Sequence, residues 1–507
     1  MTFPEPVPAS IAAALAWLDA EPADDPVVDL ERLRGHFTAL SALLVGDAQF
    51  LQCVEQFEAR VLDVCERFKS RLLAAALPVP RRQYVAATEL AGSLLEIAVS
   101  LQRVMAAVRE GGLRACSDPD IYCARALRLV EEAYLVAMMC GRPAPAELWR
   151  LACELVVAGA HAGGDGEALS GTATADVALQ FKRLLALAAL QPETLTAREL
   201  VWAHDFLGQA AVAAEFSRAP LLPASAAFWI DQAAGAPPVA MARGEPPLSD
   251  KLLYFSAYGV ARAILPKLEW LRAGISPEES VGFAPDSEAF GVEGPGLPVG
   301  LTPDEALSLL GRMRERWTSP PSRTQARRSG RYPVQVCVGL QAIWDVSRGA
   351  ADPESIAEWT VVNESSGGYA IIAVSGVTGG VAAGMPLALR RDAAEPWTLC
   401  LVRWIRNDSP DRVELGLQVI ASGWSAVSVG FGGGDTRAMA PALRLAPVPA
   451  LRRHPALVAP AGTCTSREFS LVHESDHLYV AQARVLGLDM QTTSVEIFQY
   501  EIDLYPV

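Results

Sequence analysis

Two hydrophobic periods divide the chain. From residue 9 to about 272, apolar positions recur every three to four residues, the spacing that lines one face of a helix. Asp118-Pro119-Asp120 reads as a helix start with Pro at the first helical position, and Ile121, Ala124, Leu127 and Tyr134 carry the apolar stripe to Cys140. A second helix is expected from Pro145 through Leu148, Leu151, Ala152 and Leu155, closing at Gly163-Gly164. Helices over 174–191 and 196–217 follow. No clean 34-residue repeat emerges, so the pattern predicts a bundle or an array of helical hairpins. Breaks rich in Pro and Gly fall at 233–248 and 274–301. Thr302-Pro303-Asp304-Glu305 then has the form of a capping box and opens one more helix, to about Trp317, which Ser319-Pro320-Pro321 stops.

At Tyr332 the period falls to two. Val334, Val336, Val338 and Leu340 alternate with Gln335, Cys337 and Gly339, and Val413, Leu415, Leu417 and Val419 alternate with Glu414, Gly416 and Gln418. Leu399 to Trp404 reads the same way. Short strands separated by turn residues predict a small closed or nearly closed barrel. Further strands are expected at 467–473, 477–486 and 494–504, as an extension of that barrel or a second one. The expected organisation is multidomain, α then β. A helical domain spans 1–272, and a linker with one helix and an arginine-rich end spans 273–330. A small β-barrel spans 331–435, and a C-terminal β extension or second barrel spans 436–507.

Composition narrows the partners. A net charge of -15 argues against wholesale binding to nucleic acid or to an anionic membrane surface, so an anionic ligand needs a local basic site. Seven arginines between Arg312 and Arg331 (Arg312, Arg314, Arg316, Arg323, Arg327, Arg328, Arg331) against Glu315 supply one. The nine cysteines are scattered without a Cys-x-x-Cys pair, as a reducing compartment leaves them. No basic leader precedes the first apolar helix, and no run of about eighteen apolar residues suggests a membrane span. The expectation is a cytoplasmic protein. The pattern neither requires nor forbids a homodimer.

The candidate chemistry lies at the switch between periods. Arg327-Arg328-Ser329-Gly330-Arg331 places two guanidinia four residues apart, and Asn363-Glu364-Ser365-Ser366-Gly367-Gly368 follows between strand-like runs. A guanidinium fork bonds bidentately to phosphate oxygens or to O6 and N7 of guanine, and it stacks on purine faces. Asn363 both donates and accepts, and Ser365 adds a hydroxyl. Gly368 allows a positive φ or a close backbone approach.

The ordered pair RxxxR and NxSxxG resembles the signature of the PilZ domain family, over about residues 323–430. The resemblance implies a cyclic di-GMP ligand and no other cofactor. It assigns Arg327 and Arg331 to phosphate and guanine, Asn363 and Ser365 to the opposite guanine, and Gly368 to loop shape, with Arg328 and Arg323 as auxiliaries. The helical domain would then be the surface for a protein partner. The competing expectation is an interaction adapter whose PilZ-like barrel binds no nucleotide.

Other motifs are weaker. His473-Glu474-Ser475-Asp476-His477 has the spacing of a zinc-protease helix, but strand-like flanks make it a polar turn, so no metal is expected. Gly376 to Gly384 and Gly430 to Gly434 lack the Lys-Ser/Thr ending of a phosphate loop. No catalytic constellation is visible, so an enzyme is not expected.

Overall fold

The computed structural model describes residues 11–41, 48–111, 118–160, 172–274, 301–321, 327–350, 352–374, 380–431, 439–448, 452–474 and 477–503. The chain divides into two compact units. The first comprises residues 1–262, 315–322 and 407–410, and the second residues 263–314, 323–406 and 411–507.

The first unit is built on helices α1 (Ile11–Leu18), α2 (Pro26–Ser41), α3 (Ala48–Leu73), α4 (Arg81–Arg109), α5 (Asp120–Met139), α6 (Leu148–Ala160), α7 (Thr172–Ala189) and α8 (Ala197–Ala210). The start expected at Asp118-Pro119-Asp120 is the start of α5, and the expected helices after Pro145 and at 174–191 are α6 and α7. The stop expected at Gly163-Gly164 lies outside the described residues. α4 is long and apolar enough to cross a membrane by length and composition alone. Its apolar side chains are spent on the core instead: Leu90, Leu94, Ile97, Ala98, Leu101 and Val104 are fully buried. α8 begins with a reciprocal cap, Thr196 accepting from the Glu199 amide while Glu199 accepts from the Thr196 amide.

One expectation fails here. The helical reading ran to about 272, yet residues 215–256 form a four-stranded antiparallel sheet in the order β1 (Glu215–Ser217), β4 (Leu252–Ser256), β2 (Ala227–Asp231), β3 (Val239–Ala240). Leu253, Tyr254 and Phe255 are all buried, so β4 has no polar face and no period of two. Short apolar runs of this kind carry no signal that separates strand from helix. Helix α9 (Tyr258–Gly274) follows.

The capping box expected at Thr302 opens helix α10 (Pro303–Thr318): Thr302 N donates to Glu305 Oε2 at 2.8 Å, and Glu305 N to Thr302 Oγ1 at 3.3 Å.

The second unit contains two closed six-stranded barrels. The first has strands β5 (Arg328–Val338), β6 (Ile356–Ser365), β7 (Gly368–Val374), β8 (Pro386–Arg390), β9 (Thr398–Ser409) and β10 (Arg412–Ala421), in the order β10-β7-β6-β5-β8-β9. The second has β11 (Ser425–Phe431), β12 (Ala440–Leu445), β13 (Ala456–Pro460), β14 (Glu468–Glu474), β15 (Leu478–Gln491) and β16 (Val495–Ile502), in the order β11-β12-β13-β16-β15-β14. The C-terminal segment is therefore a second barrel, and it recruits β11 from within the range 331–435 expected for the first.

Leu340 was expected to continue the first strand. Gly339 instead takes φ +93° and ends β5, and helix α11 (Leu340–Ser347) follows. α11 buries Ile343 in a cluster drawn from both barrels: Cys337, Ala388, Leu399 and Leu401 of the first, Leu443, Leu445, Val458 and Ile497 of the second. Polar contacts join the barrels as well. Trp344 Nε1 donates to the Val427 carbonyl at 2.7 Å, Arg348 to Glu474 Oε2 at 2.6 Å, and Thr492 Oγ1 to the Gly384 carbonyl at 2.9 Å.

Candidate functional site

The Asn-Ser-Gly motif is a β-hairpin. Asn363↔Ala370, Glu364↔Tyr369 and Ser365↔Gly368 pair β6 with β7, and Ser366-Gly367 form the two-residue turn. Asn363 and Ser365 are two residues apart on one strand and so share a face, with Glu364 on the other. Ser365 Oγ reaches back to the Gly368 carbonyl at 3.4 Å, a long bond that leaves its hydroxyl able to turn toward another acceptor.

Gly368 is required by close approach and not by a left-handed φ, since it is absent from the positive-φ glycines of the described residues. β10 crosses it at Gln418, and a Cβ built on Gly368 would run into the Leu417 carbonyl oxygen. The glycine lets β10 and the hairpin pack backbone against backbone.

The arginine motif was expected in an irregular linker, with a strand beginning at Tyr332. The structure corrects this. β5 begins at Arg328, because the hairpin strand supplies backbone partners, Arg328↔Glu364 and Ser329↔Asn363. Arg327 immediately precedes the strand, and its Nη1 donates to Asn363 Oδ1 at 2.9 Å. Between Ser329↔Asn363 and Tyr332↔Val361, two residues of β5 face one of β6, so Gly330 and Arg331 occupy a bulge. A bulge re-aims side chains and strengthens local twist. It gives Arg331 a different direction from the one plain alternation would assign.

Arg327, Arg328 and Arg331 are all exposed, and Asn363 and Ser365 are half-buried. The structure thus joins Arg327 to Asn363 directly, sets Arg328 opposite Glu364 and so on the face away from Asn363 and Ser365, and carries Arg331 on the adjoining bulge. Arg323 lies outside the described residues.

Sequence reading missed a neighbouring group. Tyr332 donates its hydroxyl to Glu364 Oε2 at 2.5 Å, and the Arg391 guanidinium lies 4.9 Å above its ring. Only the adjacency of Tyr332 to the arginine motif hinted at it, since Arg391 arrives from the far end of β8.

His473 lies in strand β14 and His477 immediately precedes strand β15, so the two His lack the one-turn spacing of a helical metal site. Among the described residues no group of His, Cys, Asp and Glu is placed to hold a metal ion.

A second polar cluster sits inside the first unit, around a cavity of about 520 Å³ between α3, α5, α7 and α8. Lys69 Nζ bonds Glu132 Oε2 at 2.9 Å, and Glu131 Oε1 lies 3.2 Å from both Arg183 Nε and His204 Nε2. Burial opposes the charge on Lys69, but Glu132 overrides it and raises the ammonium above its usual pKa. Burial likewise opposes charge on His204, while Asp205, Glu131 and Glu132 prevail and raise it to about 9. Cations and anions answer one another here, as in a structural ion network.

The first barrel with its Asn-x-Ser-x-x-Gly hairpin defines the class, a PilZ-domain protein. Comparison with protein-family models agrees. Residues 345–425 match "Cyclic-di-GMP receptor FimW, middle PilZ domain", and residues 12–221 match "Cyclic-di-GMP receptor FimW, N-terminal domain". The chain belongs to this family: a PilZ protein with a large N-terminal helical region. The PilZ match takes in the hairpin and stops short of β5 and its arginines. No curated protein and no solved structure matches the chain.

Proposed function

We propose that this protein is a receptor for cyclic di-GMP, binding it through Arg327, Arg328 and Arg331 together with Asn363 and Ser365. Gly368 sets the hairpin that presents them, and Arg323 serves as an auxiliary. The observation that carries the reading is the Arg327–Asn363 hydrogen bond, which ties the two motifs into one polar patch. Support comes from the family match, since both matching models are described as domains of the cyclic-di-GMP receptor FimW.

The chemistry fits the ligand. Cyclic di-GMP carries two phosphates and two guanines, and exposed guanidinia answer both by charge-assisted, bidentate bonds. The bond to Asn363 holds Arg327 near its working position, which lowers the ordering cost of binding. Nothing in this reading requires catalysis: the role is recognition, not turnover. The helical region would carry the signal to a protein partner. We place the receptor in the cytoplasm, because the described cysteines are unpaired and all but Cys464 are buried.

Isothermal titration calorimetry with cyclic di-GMP at physiological salt tests the proposal. Saturable binding at one defined stoichiometry is expected. Absence of binding by the intact protein would leave the adapter reading.

A further inference from the structure

Tyr332 follows the arginine motif by one residue and engages two charged groups at once. Its hydroxyl donates to Glu364, and its ring lies beneath Arg391. Burial, and then the bond to Glu364, raise the phenol well above its usual pKa, so it remains a donor throughout the neutral range.

Glu364 is the central residue of Asn-x-Ser, and in register it lies directly opposite Arg328. Opposite charges at such positions ordinarily pair across the strands. Among the described residues Arg328 and Glu364 form no ion pair, because the carboxylate is turned to Tyr332. The one acidic side chain within the two motifs is therefore held by a neutral partner, and the guanidinia keep their charge for a ligand.

Arg391 comes from the end of β8. Arg390 pairs with Gln335 of β5, so the next residue is delivered alongside the strand that carries the arginine motif. Arg390 itself is occupied: its Nε donates to Gln335 Oε1 at 2.8 Å, and it stacks on Trp397 at 4.4 Å. Arg391 is exposed and lies against the Tyr332 ring face. A guanidinium lying over an aromatic face keeps the N–H groups at its edge for an anion.

We propose that Arg391 is a further ligand-contacting residue of this site, and that Tyr332 is a positioning residue that seats Arg391 and holds Glu364 away from the other guanidinia. The inference rests on the receptor reading and adds to it a guanidinium on the Arg328 and Glu364 side of the hairpin, the face away from Asn363 and Ser365. A ligand with two phosphates and two guanine edges presents more acceptors than the arginine motif alone can satisfy.

The test is calorimetry with cyclic di-GMP on the full chain at two salt concentrations. Arg391→Ala is expected to weaken binding about tenfold, the scale of one charge-assisted bond, and to flatten the salt dependence, with an unchanged melting temperature. Tyr332→Phe is expected to weaken binding severalfold, and adding Glu364→Gln to that variant to restore it. A merely structural role for Tyr332 would not be rescued by removing a charge. If Arg391→Ala binds as tightly as the unaltered protein while Arg327→Ala does not, the Arg391 assignment is overturned and the receptor reading stands. If the unaltered protein shows no binding, the receptor reading itself fails.

Discussion

Arg327 and Asn363, 36 residues apart in the chain, share a 2.9 Å hydrogen bond at the open end of the β5–β6 ladder. The bond joins the fork that would grip a phosphate or guanine to the amide that would read a guanine edge, so each fixes the direction of the other.

Losing either partner should therefore cost binding beyond its own contact. Arg327→Ala and Asn363→Ala are each expected to weaken cyclic di-GMP affinity by about tenfold to a hundredfold, the worth of charged hydrogen bonds. The double variant should lose less than the sum of the two, because the residues are coupled. Calorimetric Kd values for the three proteins check this.

Gly368→Ala probes the hairpin without touching a polar contact. Its Cβ would meet the Leu417 carbonyl, so β10 or the hairpin must shift. The expected destabilisation is about 1–3 kcal/mol, typical of overpacking at a backbone contact. Thermal melting should report it, and binding should fall with it.

In the helical unit, Lys69→Met should destabilise by about 3–5 kcal/mol, because it removes the ammonium hydrogen-bonded to the buried Glu132 carboxylate. Lys69→Met combined with Glu132→Leu should recover most of that loss, since both charges then leave together. Denaturant melts of the three variants decide the matter.

His204 gives the same unit a pH dependence. Its folded pKa, raised to about 9, exceeds the unfolded value near 6.5. The charged imidazole faces Glu131, Glu132 and Asp205, with Arg183 and Lys69 alongside. Its stabilisation is complete below about pH 6.5 and is lost as pH rises through 9. The melting temperature of the helical unit should fall across that window, and His204→Gln should flatten the fall.

Much of the architecture was legible in the sequence because local signals coincide with local structure. Thr302 and Glu305 cap α10 through three-residue contacts, and the alternation around Val413–Val419 becomes β10. The Asn-Ser-Gly hairpin is likewise written in adjacent residues. What stayed hidden depends on distant partners. β4 is buried on both faces and has no period, and α11 follows a glycine whose φ the sequence does not display. The strand character of Arg328 and Ser329 comes from β6, and Arg391 meets Tyr332 only once β8 has paired with β5.

The helix α11, with Ile343 set in a cluster common to both barrels, ties their thermodynamics together. A ligand bound to one barrel raises the opening free energy of whatever unfolds with it, by an amount set by its concentration relative to Kd. Amide hydrogen exchange should thus slow in β12, β13 and β16, far along the chain from Arg327, when cyclic di-GMP saturates the hairpin. The C-terminal barrel would then report occupancy of the first.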